Sequence, residues 1–469
     1  MTGESTFPTF PDGFRWGVAT SAYQIEGAVD VNGRGASIWD TFSHRAGAVD
    51  NGDTGDVACD HYHRYEEDIA LMRELGVDSY RFSVAWPRIQ PQGSGAPSSA
   101  GLDFYSRLVD ELLTAGIEPC LTLYHWDLPQ RLEEAGGWRE RDTAGRFADY
   151  AAIVHRELGD RVRLWTTLNE PFCAAFLGYA EGRHAPGARE GHEALAAAHH
   201  LLLGHGAATA AMRAQRYGDE SFGITLNLNP VTPVSDSPED VAAARRYECY
   251  QNLAFSDPVL AGSYPDIEST VWGEISDFSF RRGGDLELIG TELDFLGVNN
   301  YFPAYVRAAP FESVDPKLRT ADDIGVELDP PESLRRTTMN WPVEAAGLSR
   351  LLLWLGERYP ELPPIYITEN GTSGFDAPDG EGEIHDGHRI EYLDTHLREL
   401  RGAMRAGVVV HGYYCWSLLD NFEWAEGYEQ RFGLVYVDFE SQRRVRKDSF
   451  DWYRRAVAHS REPDGSLTG

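Results

Sequence analysis

The chain has 469 residues, 42% of them hydrophobic, and a formal net charge of −32 at pH 7. That acidity argues against a nucleic-acid partner, whose phosphates need clustered Lys and Arg, and against an anionic membrane surface. It contains no run of about 18 apolar residues, so no membrane span is expected.

In chain order, short β-branched and apolar runs fall at 14–20, 79–84, 118–123, 164–168, 222–228, 295–298, 365–368 and 408–416. Helical patterns lie between most of them. The stretches 65–75, 105–115 and 390–406 are examples, and Gly76, Gly116 and Gly407 follow them as stop signals. Helix, glycine and buried strand, repeated to eight strands, predict an α/β fold: one (β/α)8 barrel with elaborated loops. No Pro-, Gly- or Ser-rich linker divides the chain, so residues 1–469 read as a single catalytic domain. An open doubly wound sheet is the competing architecture, but no GxGxxG follows an early strand. Segment 308–340 is charged and aperiodic and reads as a long functional loop.

In such a barrel the residues just past the strands converge on one face. Here they are Gln24 and Glu26, then Arg81, then His125 and Trp126, then Asn169 and Glu170. Asn299 and Tyr301 follow, then Glu369, then Trp416, Glu423 and Trp424. Amides and carboxylates suit sugar hydroxyls, and indole faces suit the C–H face of a pyranose. Glu170 and Glu369 each end a buried run beside an Asn, and each is followed by a breaker, Pro171 or Asn370-Gly371. Two carboxylates at the ends of parallel strands are what glycoside hydrolysis requires. Taken singly, each has a plainer reading: a strand-end Glu as a cap or ion-pair partner, Trp416 and Trp424 as core, His125 as a structural histidine. Cys173, close to Glu170, reads as packing.

The segment Met1–Pro11 lacks a basic stretch before an apolar core and does not read as a signal peptide. Five widely spaced cysteines suggest reduced buried thiols and a cytoplasmic setting. Neither CxxC nor HExxH occurs, so no metal and no cofactor is expected. A homo-oligomer is compatible with the sequence.

The runs Thr167-Leu168-Asn169-Glu170-Pro171 and Ile367-Thr368-Glu369-Asn370-Gly371 resemble the acid/base and nucleophile motifs of family 1 glycoside hydrolases, the β-glucosidase family. Similar family signatures lie at 14–27, 124–129 and 416–424, and the resemblance extends from about Phe14 to Tyr453. It implies a retaining, exo-acting β-glucosidase with fucosidase and galactosidase side activity, acting on small β-glucosides and short oligosaccharides. Glu369 would be the nucleophile, supported by Arg81, Tyr301 and Asn299, and Glu170 the acid/base. Gln24, His125, Trp126, Asn169, Glu423 and Trp424 would surround the sugar being cleaved, with Trp416 as its floor and Trp341 in the aglycone wall. The chain departs from the family pattern at Phe172, Asn300, Phe302 and Asn340, which bears on aglycone preference rather than on the reaction. A 6-phospho-β-glycosidase would call for Ser and Lys near Glu423, and segment 421–430 has no Lys. An inactive sugar-binding protein would have lost one of the two carboxylates.

Overall fold

A computed structural model of the chain describes residues 7–461; the first six residues of the Met1–Pro11 segment lie outside it. Eight parallel strands close into a barrel: β1 (Arg15–Ala19), β2 (Ser79–Ser83), β3 (Glu118–Tyr124), β4 (Leu164–Asn169), β5 (Ser221–Asn227), β6 (Phe295–Asn299), β7 (Ile365–Asn370) and β8 (Val410–Trp416). Each strand pairs with its sequence neighbours, and β8 closes on β1 with Trp16 opposite Tyr413 and Ala19 opposite Trp416. The expected (β/α)8 class is thus the observed one.

Outer helices include α1 (His61–Leu75), α2 (Ser99–Thr114), α3 (Asp142–Leu158), α4 (His192–Arg213), α5 (Ala346–Arg358), α6 (Gly387–Arg405) and α7 (Asp448–Ser460). The three stop glycines behave as expected. Gly76 is left-handed at the end of α1, with its N–H bonded to the carbonyls of Met72 and Arg73. Gly116 and Gly407 also have positive φ. Helix starts were less legible, because caps rather than apolar residues set them: Ser98 accepts from the Gly101 N–H and opens α2 six residues before Tyr105.

The barrel interior is packed rather than open. Ala19, Cys120, Leu164, Phe295, Tyr366, Tyr414 and Trp416 form a core of their own inside the strands. Gly17 is required there, since a Cβ would lie 2.3 Å from the Tyr414 ring. Outside, a larger core joins strands to helices. All five cysteines are buried thiols. Among the described residues no helix is long and apolar enough to cross a membrane.

Two additions sit on the loop side. The expected loop 308–340 is partly ordered into a small sheet, where Ala304–Ala308 lies between Val231–Pro233 and Val326–Leu328. The segment after β8 is anchored by a buried ion network. Lys447 Nζ donates to Asp376 Oδ2 at 2.5 Å and to Asp420 Oδ1 at 2.7 Å. Arg389 pairs with Asp376 and Asp386, and Arg431 with Asp420. Burial works to raise the Asp376 carboxyl, but Arg389 and Lys447 overcome it and hold it at about 2. Lys447→Met removes one cation and leaves Asp376 and Asp420 without it, so we expect a loss of about 3–5 kcal/mol, read as a lower urea midpoint. An unchanged midpoint would show that the lysine contributes nothing net.

Candidate active site

Both carboxylates stand where a strand changes step. β4 runs level with β5 as far as Thr166 opposite Gly223, but the next pair is Asn169 with Thr225. β7 likewise holds one extra residue between Ile367 and Glu369 against β6. Such bulges bend the strand and re-aim the side chains beyond them. Glu170 then takes a left-handed backbone, φ +46°, and its N–H bonds to the Thr225 carbonyl at 2.9 Å.

Glu369 and Glu170 line the same cavity, of about 470 Å³, at the C-terminal end of the barrel. Their surroundings differ. Glu369 Oε1 accepts from Arg81 Nη1 at 2.5 Å, and Oε2 accepts from the Tyr301 hydroxyl at 2.6 Å. Arg81 is fully buried and spends its other terminal nitrogen on Asn169 Oδ1 at 2.6 Å. Burial, then the charge of Glu369, pushes the Tyr301 phenol well above its usual range, so it remains a donor. Glu170 has no cation in direct contact. Burial first, and the charge of Glu369 second, raise its pKa, against the hydrogen bonds it accepts. It therefore holds a proton at pH values where an ordinary carboxyl has lost it.

Asn299 is a correction. Expected beside the nucleophile, it turns its amide to the other carboxylate: Nδ2 donates to Glu170 Oε1 at 2.6 Å and to Asn169 Oδ1 at 3.1 Å. Thr368 Oγ1 donates to its Oδ1 at 2.7 Å, which fixes the amide's orientation. Glu369 is already engaged by Arg81 and Tyr301. Cys173 is a second correction: read as packing, it donates from Sγ to Glu170 Oε2 at 3.1 Å.

The cavity also brings together His125, Trp126, Trp341, Trp416, Glu423 and Trp424. His125 Nε2 accepts from Asn169 Nδ2 at 3.1 Å, because the Asn169 oxygen is occupied by Arg81 and Asn299. Burial, then Arg81, holds the imidazole well below its usual pKa, so it is neutral, with its proton on Nδ1. Among the described residues that buried nitrogen has no hydrogen-bond partner. The His125 ring lies parallel to both Trp416 and Trp424, at 6.0 and 5.9 Å. Trp126 offers only its face, since its Nε1–H is used on the Asn169 carbonyl at 2.9 Å. Trp341 packs near Tyr301 and Phe302 on the opposite wall.

Glu423 has one carboxylate oxygen, Oε2, that is buried and without a partner. Burial, then the charges of Glu426, Glu369 and Glu170, push its pKa well up. Such an oxygen is suited to accepting hydroxyl donors. Two expected sugar ligands are fully buried, with their amides engaged by protein partners. Asn169 is fully buried in the network just described. Gln24 does not line the cavity: its Nε2 donates to Asn421 Oδ1 and the Phe422 carbonyl, and its Oε1 accepts from Ser21. Phe172, expected to bear on the aglycone, lines the cavity, and Asn227, Tyr250, Arg183 and Glu426 line it without having been expected there. Among the described residues no group of three or more His, Cys, Asp or Glu side chains is arranged to hold a metal ion.

A closed parallel barrel with two unlike carboxylates in an aromatic cavity at its C-terminal face defines a glycoside hydrolase. Residues 6–462 match the family model described as Glycosyl hydrolase family 1, and the chain belongs to that family. It is 48% identical over 459 residues to a bifunctional β-D-glucosidase/β-D-fucosidase of Bifidobacterium breve, covering 96% of this chain and 98% of that protein. It is 50% identical over 450 residues to a thermostable β-glucosidase B of Thermobispora bispora, covering 96% and 90%. Among solved structures, a psychrophilic β-glucosidase of Micrococcus antarcticus superposes with a TM-score of 0.92 at 47% identity, over 97% of this chain and 98% of that one.

Proposed function

We propose that the protein is a retaining, exo-acting β-glucosidase that removes terminal β-D-glucosyl residues from small glucosides and short oligosaccharides such as cellobiose. One observation carries the reading: a single cavity holds one carboxylate paired with a cation and another kept protonated by burial. Glu170 delivers its proton to the glycosidic oxygen as Glu369 attacks the anomeric carbon, and the aglycone leaves as an alcohol. The glycosyl ester at Glu369 carries no charge, so the repulsion felt by Glu170 disappears. Now a carboxylate, Glu170 takes a proton from water, which attacks the ester and releases the sugar with its original anomeric configuration. Phe172, Tyr250, Phe302 and Trp341 give the outer cavity an apolar wall for an aglycone. The five buried thiols support a cytoplasmic setting.

A panel of aryl β-glycosides, with cellobiose as the natural-linkage control, tests the activity. Proton NMR of the first sugar released tests the stereochemistry, since α-glucose as the initial product contradicts retention. The similarity to a bifunctional glucosidase/fucosidase supports a weaker action on β-fucosides.

Glu423 is expected to select the sugar through its unpartnered oxygen, by accepting from the 4- and 6-hydroxyls. Each hydrogen bond accepted by this carboxyl is worth about 1 kcal/mol, and two together about 2 kcal/mol. Glu423→Ser should therefore lower kcat/KM for the β-glucoside about 10–100-fold. The loss should be smaller for β-fucoside, which lacks the 6-hydroxyl. Equal losses on both sugars would exclude the contact with the 6-hydroxyl. Segment 421–430 offers no Lys to a 6-phosphate and places Glu426 close to Glu423, so a 6-phospho-β-glucoside should be a very poor substrate.

A further inference from the structure

Glu170 can act as an acid only if its proton sits on the oxygen that faces the leaving group. Oε1 is occupied by the Asn299 amide, which can only donate, so the proton belongs on Oε2. Oε2 has one protein neighbour, the Cys173 thiol at 3.1 Å. Cys173 lies three residues on, at the start of the π-helical turn Cys173–Glu181, and its N–H bonds to the Glu170 carbonyl at 3.0 Å. Its sulfur in turn accepts from Asn227 Nδ2 at 3.6 Å. Asn227 ends β5, and Gln251 Nε2 donates to its backbone carbonyl at 3.0 Å.

We propose that Cys173 is a positioning residue for the acid/base step: held through its sulfur by Asn227, its S–H donates to Glu170 Oε2 and directs the proton on that oxygen toward the glycosidic oxygen. The thiol occupies one position on Oε2 of a carboxyl that lines the cavity. Burial, then the charge of Glu170, holds the thiol well above its usual pKa, so it stays an S–H donor rather than a thiolate nucleophile. Its hydrogen bond opposes the upward shift at Glu170, as does that from Asn299. The other titratable and charged groups about this carboxyl are Glu369, Arg81, Tyr301 and Glu423.

The proposal rests on Glu170 being the acid/base, and the test separates the two. Cys173→Ala, Cys173→Ser and wild type are compared for kcat/KM against pH. One substrate is an aryl β-glucoside with a good leaving group, the other an alkyl β-glucoside with a poor one. Loss of a hydrogen bond that favours the ionised form raises the pKa of Glu170, so the alkaline limb should move up by about half a unit to one unit in the alanine variant. The alkyl glucoside should lose about fivefold or more while the aryl glucoside changes little. Serine should restore both. Thermal melting checks that each variant is folded. As a measurement independent of turnover, carbon-13 NMR titration of the carboxyls in isotopically labelled protein should show the same shift of Glu170 in the alanine variant. An unmoved alkaline limb with equal losses on both substrates would reduce Cys173 to packing. An unmoved Glu170 resonance would do the same even if the alanine variant proved too weak for kinetics. Absence of glycosidase activity in wild type would instead sink the function proposed for the site.

Discussion

Glu369→Ala is expected to lower kcat/KM for an aryl β-glucoside by about five orders of magnitude or more. Without the carboxylate no glycosyl ester can form, and water reaching the anomeric carbon has neither a covalent route nor a base on that side. The residues left behind make the change worse. Arg81 is fully buried and loses the carboxylate at 2.5 Å that balances it, while the Tyr301 hydroxyl loses its acceptor. Some stability should go with the activity, so Glu369→Gln serves as the isosteric control. Both variants should fail to trap a 2-fluoroglucosyl ester visible by mass spectrometry. A labelled peptide that does not contain Glu369 would overturn its assignment as nucleophile.

Glu170→Ala should fail in a different way. An aryl glucoside with a good leaving group needs little help from an acid, so the first step survives and gives a burst of phenol equal to the enzyme present. The second step stalls, because no base activates water, and steady-state kcat should fall by about 100- to 10,000-fold. Azide needs no base. Added azide should restore turnover in Glu170→Ala and give the β-glucosyl azide, whereas any azide product from Glu369→Ala should be the α-anomer, formed by direct attack on the face the nucleophile has vacated. Equal, azide-insensitive losses in both variants would refute the division of roles.

The barrel was legible because its signals are local. Eight buried runs with β-branched residues lie where the eight strands lie, and three glycines stop helices where left-handed backbone is needed. The two carboxylates were legible because Asn169-Glu170-Pro171 and Glu369-Asn370-Gly371 place them at strand ends. Less could be read where partners come from distant parts of the chain. Nothing in Thr166–Asn169 marks the extra residue that re-aims β4. Asn299 stands between two carboxylates, and only the third dimension shows that Arg81 and Tyr301 already occupy one of them, so that its amide turns to the other. Gln24 has the chemistry of a sugar ligand, but its amide is used on the loop after β8. Cys173 reads as packing in the sequence because a buried thiol is most often that. Its three-residue spacing from Glu170 across the start of a helical turn was the one signal available.

The left-handed backbone at Glu170 makes activity and folding pull in opposite directions. A side chain with a β-carbon held there costs about 1–3 kcal/mol, and this one also buries a carboxyl that would be ionised in the unfolded chain at neutral pH. Glycine takes this backbone at no steric cost and buries no carboxyl, so exchanging Glu170 for it trades the acid for a sturdier chain. The fold would then outlast its chemistry.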